Sequence, residues 1–322
     1  MLHIEYRATD AKGYSSEIYD YSAQVRPGYV EFQAHKDHVR AVAFSPDGKW
    51  LATAGKDGRL QIWDWSLRSQ SHDVRASDRS LHCLAWTPDG RRVILGDEAG
   101  AVQSYSLDTE RLRELGRHEE SVWPMSLSPD GRYLASGSRD GIIHVRQLDK
   151  PQHPTRLQGH TWVITGLGSY VHQGQTHLVS VSYDKTLRIW NLGNGKVVLT
   201  QDKYPLLFRG LSVAPNVPLA VSGTRDGTLQ VWNLENGEVI RLLVGHKGGI
   251  ACVAVHSEGR YALSTSYDNT VRLWDLKRGK EIQRFEFASP IVAADFSPDG
   301  LFVALGDQEG KVRVQYIYHL VR

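Results

Sequence analysis

Fourteen histidines and two cysteines are the side chains of this sequence best suited to holding a metal or activating a nucleophile. Their spacing supports neither task. His118-Glu119 begins like the helical His-Glu-x-x-His zinc motif, but Val122 stands where the second histidine is needed. His72, His82, His153, His172 and His177 are scattered without ligand spacing and read as loop or surface residues. There is no Gly-x-x-x-x-Gly-Lys-Ser/Thr phosphate loop and no Gly-x-Ser-x-Gly elbow. Cys83 and Cys252 are too few for a disulfide scaffold or a cysteine-rich zinc site, and they suit a reducing, cytoplasmic setting. The expectation is a chain that is not an enzyme, with no metal site and no cofactor.

Aspartates recur with more order. Asp57, Asp140, Asp184, Asp226 and Asp268 each sit in one frame, as in LATAGKDGRLQIWD and ALSTSYDNTVRLWD. The frame has an apolar start, a small or hydroxylated residue, a turn acid, then alternating apolar residues ending near Trp. Two weaker copies, VILGDEAGAVQSYS and VALGDQEGKVRVQY, put Ala99 and Glu309 at the turn position. Successive spacings are 42, 41, 44, 42, 42 and 41 residues, so seven copies fill nearly all of the 322 residues. Upstream of the turn acid, four copies carry a Pro-Asp-Gly turn between stretches of period two, as in AVAFSPDGKWLATAG. Proline fixes φ and glycine accepts a positive one, so the chain reverses tightly there. Each copy thus holds four short antiparallel strands. One such sheet cannot bury both faces alone, whereas seven arranged radially can.

At this point the sequence resembles the WD-repeat (tryptophan–aspartate) β-propeller family, over about residues 28 to 318. The family's Gly-His pair appears as Gly159-His160 and Gly245-His246, with His35 and His118 in the same slot after Ala34 and Arg117. Its Trp slot holds Trp63, Trp190, Trp232 and Trp274. The resemblance implies an all-β, seven-bladed propeller. It also implies a structural tetrad of hydrogen bonds within each well-formed blade: His35, Thr53, Asp57 and Trp63 in the first; His160, Ser180, Asp184 and Trp190 in the fourth; His246, Ser264, Asp268 and Trp274 in the sixth. A partly buried Asp is costly unless it accepts hydrogen bonds, which is the physical logic of such a set. Arg146 replaces Trp in copy three, Tyr204 replaces His in copy five, and copies two and seven keep none of the four. Those two are expected to depend on apolar packing and on their neighbours.

The last copy stops after its third strand, and residues 28–33 (GYVEFQ) precede His35 where other copies have an outer strand. This stretch is expected to complete the seventh blade and close the ring. Its removal should abolish cooperative unfolding by denaturant. The expected organisation is a tail over 1–27 and a propeller over 28–322. The polar stretch 66–80 is expected to form a poor outer strand and a mobile loop.

Two positions per copy should point to the face of the Asp turns. The residue before the turn acid reads Lys56, Glu98, Arg139, Tyr183, Arg225, Tyr267 and Gln308. The residue five after the His slot reads Arg40, His82, Trp123, Thr165, Arg209, Ala251 and Val292. Arg or Lys fills five of these fourteen positions, aromatic rings three, and an acid only one, a composition typical of binding hot spots. Arg40, Lys56, Trp123, Arg139, Tyr183, Arg209, Arg225 and Tyr267 are therefore the expected partner-binding face. The expected function is a non-enzymatic interaction scaffold for proteins or peptides that carry acidic groups. The alternative is a nucleic-acid-binding propeller that stacks bases on the same face. A channel enzyme would need clustered carboxylates or histidines there, and only Glu98 and His82 qualify. With 38 Lys plus Arg against 36 Asp plus Glu, a globally basic nucleic-acid clamp is excluded. No apolar run approaches the roughly 18 residues of a membrane helix, and MLHIEYRATDAK has no signal-peptide core, so no membrane association is expected.

Overall fold

A computed structural model describes residues 28–202 and 205–317. Its 28 strands form seven antiparallel four-stranded sheets, with no helix among the described residues. Blade 7 takes its outer strand β1 (Tyr29–Gln33) from the beginning of the described chain. Blade 1 contains β2 (Val39–Phe44), β3 (Trp50–Gly55), β4 (Arg59–Asp64) and β5 (Ser69–Arg75). Blade 2 contains β6 (Leu81–Trp86), β7 (Arg92–Asp97), β8 (Ala101–Ser106) and β9 (Arg111–Arg117). Blade 3 contains β10 (Val122–Leu127), β11 (Tyr133–Ser138), β12 (Ile143–Gln147) and β13 (Lys150–Leu157). Blade 4 contains β14 (Ile164–His172), β15 (Gln175–Ser182), β16 (Leu187–Asn191) and β17 (Lys196–Gln201). Blade 5 contains β18 (Phe208–Val213), β19 (Leu219–Thr224), β20 (Leu229–Asn233) and β21 (Glu238–Leu243). Blade 6 contains β22 (Ile250–Val255), β23 (Tyr261–Ser266), β24 (Thr270–Asp275) and β25 (Lys280–Glu286). Blade 7 is completed by β26 (Ile291–Phe296), β27 (Phe302–Asp307) and β28 (Lys311–Tyr316).

The Pro-Asp-Gly turns join inner to second strands. In blade 2 the Gly90 amide donates to the Thr87 carbonyl at 2.9 Å and Gly90 has φ 67°, a conformation strained for any side chain. Each inner strand packs against the inner strands on either side, β2 against β6 and β26 included, so the ring is closed. Closure is secured by pairing Tyr29 to Gln315 through Gln33 to Lys311, and the Phe44 amide donates to Asp295 across the blade 7–blade 1 seam at 2.9 Å. Apolar residues of the second and third strands fill each space between blades. Six of the seven inter-blade clusters hold nine to eleven buried residues, while that between blades 2 and 3 holds five.

Residues 69–75 correct one expectation. The polar stretch forms a complete outer strand, paired from Arg59–Arg75 to Asp64–Ser69. An outer strand needs only its inward ladder of backbone hydrogen bonds, so its side chains can be polar. The tail over 1–27 and Tyr204 lie outside the described residues.

Candidate interaction face

In all seven inner strands the residue five after the His slot falls at a β-bulge. The register breaks between Val39 and Ala41, Leu81 and Cys83, Val122 and Met125, Ile164 and Gly166, Phe208 and Gly210, Ile250 and Cys252, and Ile291 and Ala293. Arg40, His82, Trp123, Thr165, Arg209, Ala251 and Val292 thus drop out of the paired register, and a bulge re-aims the side chain it carries. The residues before the turn acids are held alike. The amides of Lys56, Glu98, Arg139, Tyr183, Arg225 and Tyr267 each donate to a carbonyl in the loop that leads into their own blade's inner strand, at 2.9–3.2 Å.

Neighbouring face residues meet in pairs. The Arg209 guanidinium lies over the Tyr267 ring at 5.9 Å, and the His82 and Trp123 rings meet edge-on at 6.0 Å. Trp123 and Tyr267 remain 41 % and 46 % exposed. Arg40, Arg139 and Arg225 are exposed and, among the described residues, not ion-paired. Lys56 differs: it pairs with Asp37 at 3.2 Å, which weakens its contribution to a basic surface. Burial and the Arg40 charge lower the His82 pKa, so this histidine stays neutral. Trp162, two residues after His160, is 56 % exposed and meets Tyr183 edge-on at 5.9 Å. The fourteen-position frame misses it. Its signal was a Trp two residues after the His slot, where the other copies carry Asp37, Arg79, Glu120, Leu206, Gly248 and Ser289.

Beneath the face, the hydrogen bonds of blades 4 and 6 form a relay. A carboxylate only accepts, so His160 Nδ1–H donates to Asp184 at 2.9 Å. Nε2 then accepts from the Ser180 hydroxyl at 2.7 Å, and Ser180 accepts from Trp190 Nε1–H at 2.8 Å. His246, Ser264, Asp268 and Trp274 repeat this at 3.0, 2.7 and 2.8 Å. Burial works to raise the Asp184 and Asp268 pKa values, but hydrogen bonds from histidine, threonine and backbone amides outweigh it and hold both well below the ordinary carboxylate range. Blade 1 departs from its expected tetrad. His35 bonds Asp57 and Thr53, at 3.0 and 2.9 Å, but the buried Trp63 Nε1–H has no partner among the described residues, and the ring packs on Phe32.

In blade 3, Arg146 occupies the Trp slot at 1 % exposure. Its guanidinium donates to Ser136 and to His144 Nδ1, both at 3.2 Å; its Nε has no acceptor, and no carboxylate pairs with it among the described residues. His118 bonds Ser136 at 2.8 Å and stacks on His144, and its Nδ1 has no partner among the described residues. Blades 2 and 7 are less bare than the repeat frame suggests. Their acid moves back two residues, to Asp97 and Asp307, each accepting an amide four residues ahead at 2.8 Å. Ser77, in the His slot of blade 2, donates to Asp97 at 2.7 Å.

Cys83 is buried and its thiol is pushed up to about 12, so it is inert at neutral pH; both cysteines are free. Among the described residues no three His, Cys, Asp or Glu side chains cluster to hold a metal.

The family model for the WD domain, G-beta repeat, matches residues 28–64, 109–146, 151–191, 206–233 and 237–275, more than half of the chain. The chain belongs to the WD-repeat family. The two longest unmatched stretches after residue 28, 65–108 and 276–322, hold most of the two repeats whose acid has moved. Among relatives, the Target of rapamycin complex subunit LST8 of Mus musculus is 26 % identical over 195 residues, covering 57 % of this chain and 59 % of that protein. The Target of rapamycin complex subunit wat1 of Schizosaccharomyces pombe is 29 % identical over 187 residues, covering 54 % and 57 %. Transducin beta-like protein 3 of Mus musculus is 28 % identical, covering 55 % of this chain and 24 % of that protein. This WD-repeat chain therefore spans less than two thirds of each of these relatives. Within its described residues no helix is long and apolar enough to cross a membrane.

Proposed function

We propose that the chain is a non-enzymatic scaffold that holds a partner protein or peptide on the face of the Asp turns. The observation that carries this reading is the ring of bulged residues, which directs Arg40, Trp123 and Arg209 away from the ladders beside exposed Arg139, Arg225 and Tyr267. A guanidinium fork pairs with carboxylates, and rigid rings supply contact area at low entropic cost. The favoured ligand therefore presents acidic and apolar groups together. Two relatives named as complex subunits support a protein partner over a nucleic acid.

Reversing charge at Arg139 and Arg225 together should abolish partner capture from the native host and leave the melting temperature nearly unchanged. Unaltered capture would remove this face from the account. Binding that collapses steeply as salt rises would favour phosphate neutralisation, because a packed peptide interface weakens less.

A further inference from the structure

Blade 2 lacks a side chain that every other blade supplies. The middle of the third strand carries Ile62, Val145, Ile189, Val231, Leu273 and Val314 in the other six blades, and each joins the cluster filling the space toward the next blade. In blade 2 the same position is Ser104. The cluster between blades 2 and 3 is accordingly the smallest, and an open groove of about 690 Å³ lies there.

The groove is cationic. Ser104 pairs in register with Arg113, while Arg92, Ser106 and Arg111 form one row across β7, β8 and β9. Strand spacing puts the two arginines of that row about 10 Å apart. Lys150 faces them from blade 3. None of these four cations is ion-paired among the described residues, and Asp149 is the one carboxylate in the lining. Leu115 and Leu148 supply apolar wall. The groove opens beside the Pro-Asp-Gly turn and the third-to-outer-strand turn, at the opposite end of the blade from the Asp turns.

We infer that this groove is a second docking site, which takes an acidic, leucine-containing peptide segment of a partner protein. Charge complementarity decides the chemistry. Four cations around a hydroxyl-lined floor pair best with a run of carboxylates, and the leucines with an apolar residue between them. The site is independent of the Asp-turn face, since the two share no residue.

The test is an array of short peptides built from Glu, Asp, Leu and Ser, with Lys-substituted counterparts, followed by fluorescence anisotropy on the strongest. The acidic peptides should bind saturably and their Lys counterparts should not. Arg111→Glu with Arg113→Glu should weaken binding by at least about tenfold, the equivalent of one lost charge-assisted hydrogen bond. Arg139→Glu with Arg225→Glu should leave this binding unchanged, which separates the site from the Asp-turn face. Ser104→Ile is the second probe: it restores the side chain type of the other blades, and should raise the melting temperature while abolishing binding. Absence of saturable binding by any acidic peptide would overturn the inference. So would equal binding by the Arg111/Arg113 variant, or displacement of every peptide by a single-stranded oligonucleotide of matching charge that binds more tightly.

Discussion

Blades 3 and 4 are neighbours built on one repeat, and they handle the same buried slot in opposite ways. In blade 4 Trp190, Ser180, His160 and Asp184 pass hydrogen bonds from one to the next, ending on a carboxylate held ionised. In blade 3, among the described residues, Arg146 brings a positive charge into that slot without an acid to meet it, and Asp140 accepts only the Ile142 amide, at 2.8 Å. The fold tolerates both because adjoining blades carry apolar packing across each seam. The hydrogen-bond relay is therefore a stabilising element of individual blades and not a condition for forming one.

The largest contrast is expected from removing the acid. Asp184→Ala removes the carboxylate that accepts from His160, the Thr161 and Thr186 amides and the Thr186 hydroxyl, and should cost about 2–3 kcal/mol in urea unfolding. Asp140→Ala loses a turn hydrogen bond and should cost about 0.5–1 kcal/mol. Equal costs would erase the distinction between the two blades.

Acid should separate them next. Burial, with the charges of neighbouring His144 and Arg146, pushes His118 down to about 3; burial and Arg146 push His144 to about 4. Both bind a proton less readily folded than unfolded. The stability they confer is complete above about 6.5 and is lost as pH falls toward the folded values. Asp184 is shifted the other way relative to its charge: its contribution holds above 3.8 and is lost only below it. Between pH 7 and pH 5, hydrogen exchange should accelerate in β11 and β12 before β15 and β16. The reverse order would contradict this reading.

Smaller effects follow from single groups. Arg146→Met removes the unmatched charge while keeping volume and should stabilise the protein by about 1–2 kcal/mol, measured by denaturant unfolding. Trp190→Phe should cost about 1 kcal/mol more than Trp63→Phe, because only Trp190 loses a hydrogen bond.

The repeat period, the turns and the closing strand were legible because each obeys local rules: alternation, Pro-Asp-Gly reversal and a missing fourth strand. The bulges were legible only as a fixed offset from the His slot. Other features needed three dimensions. Asp97 and Asp307 lie two residues off the frame, and both weak copies share the Gly-Asp pair that marks them. Ser104 looks like an ordinary strand residue until register places it opposite Arg113 and across from blade 3. That the Trp63 indole N–H finds no acceptor among the described residues, while Thr53 bonds His35, could be read only from the side-chain positions.

Hydrogen–deuterium exchange on the protein bound to its captured partner tests the central claim most directly. Protection is expected in the Asp-turn segments around Lys56, Arg139, Arg225 and Tyr267 and at the bulges of β2, β10 and β18. Protection confined to the outer strands or to the Pro-Asp-Gly end, with those segments exchanging as in the free protein, would contradict it.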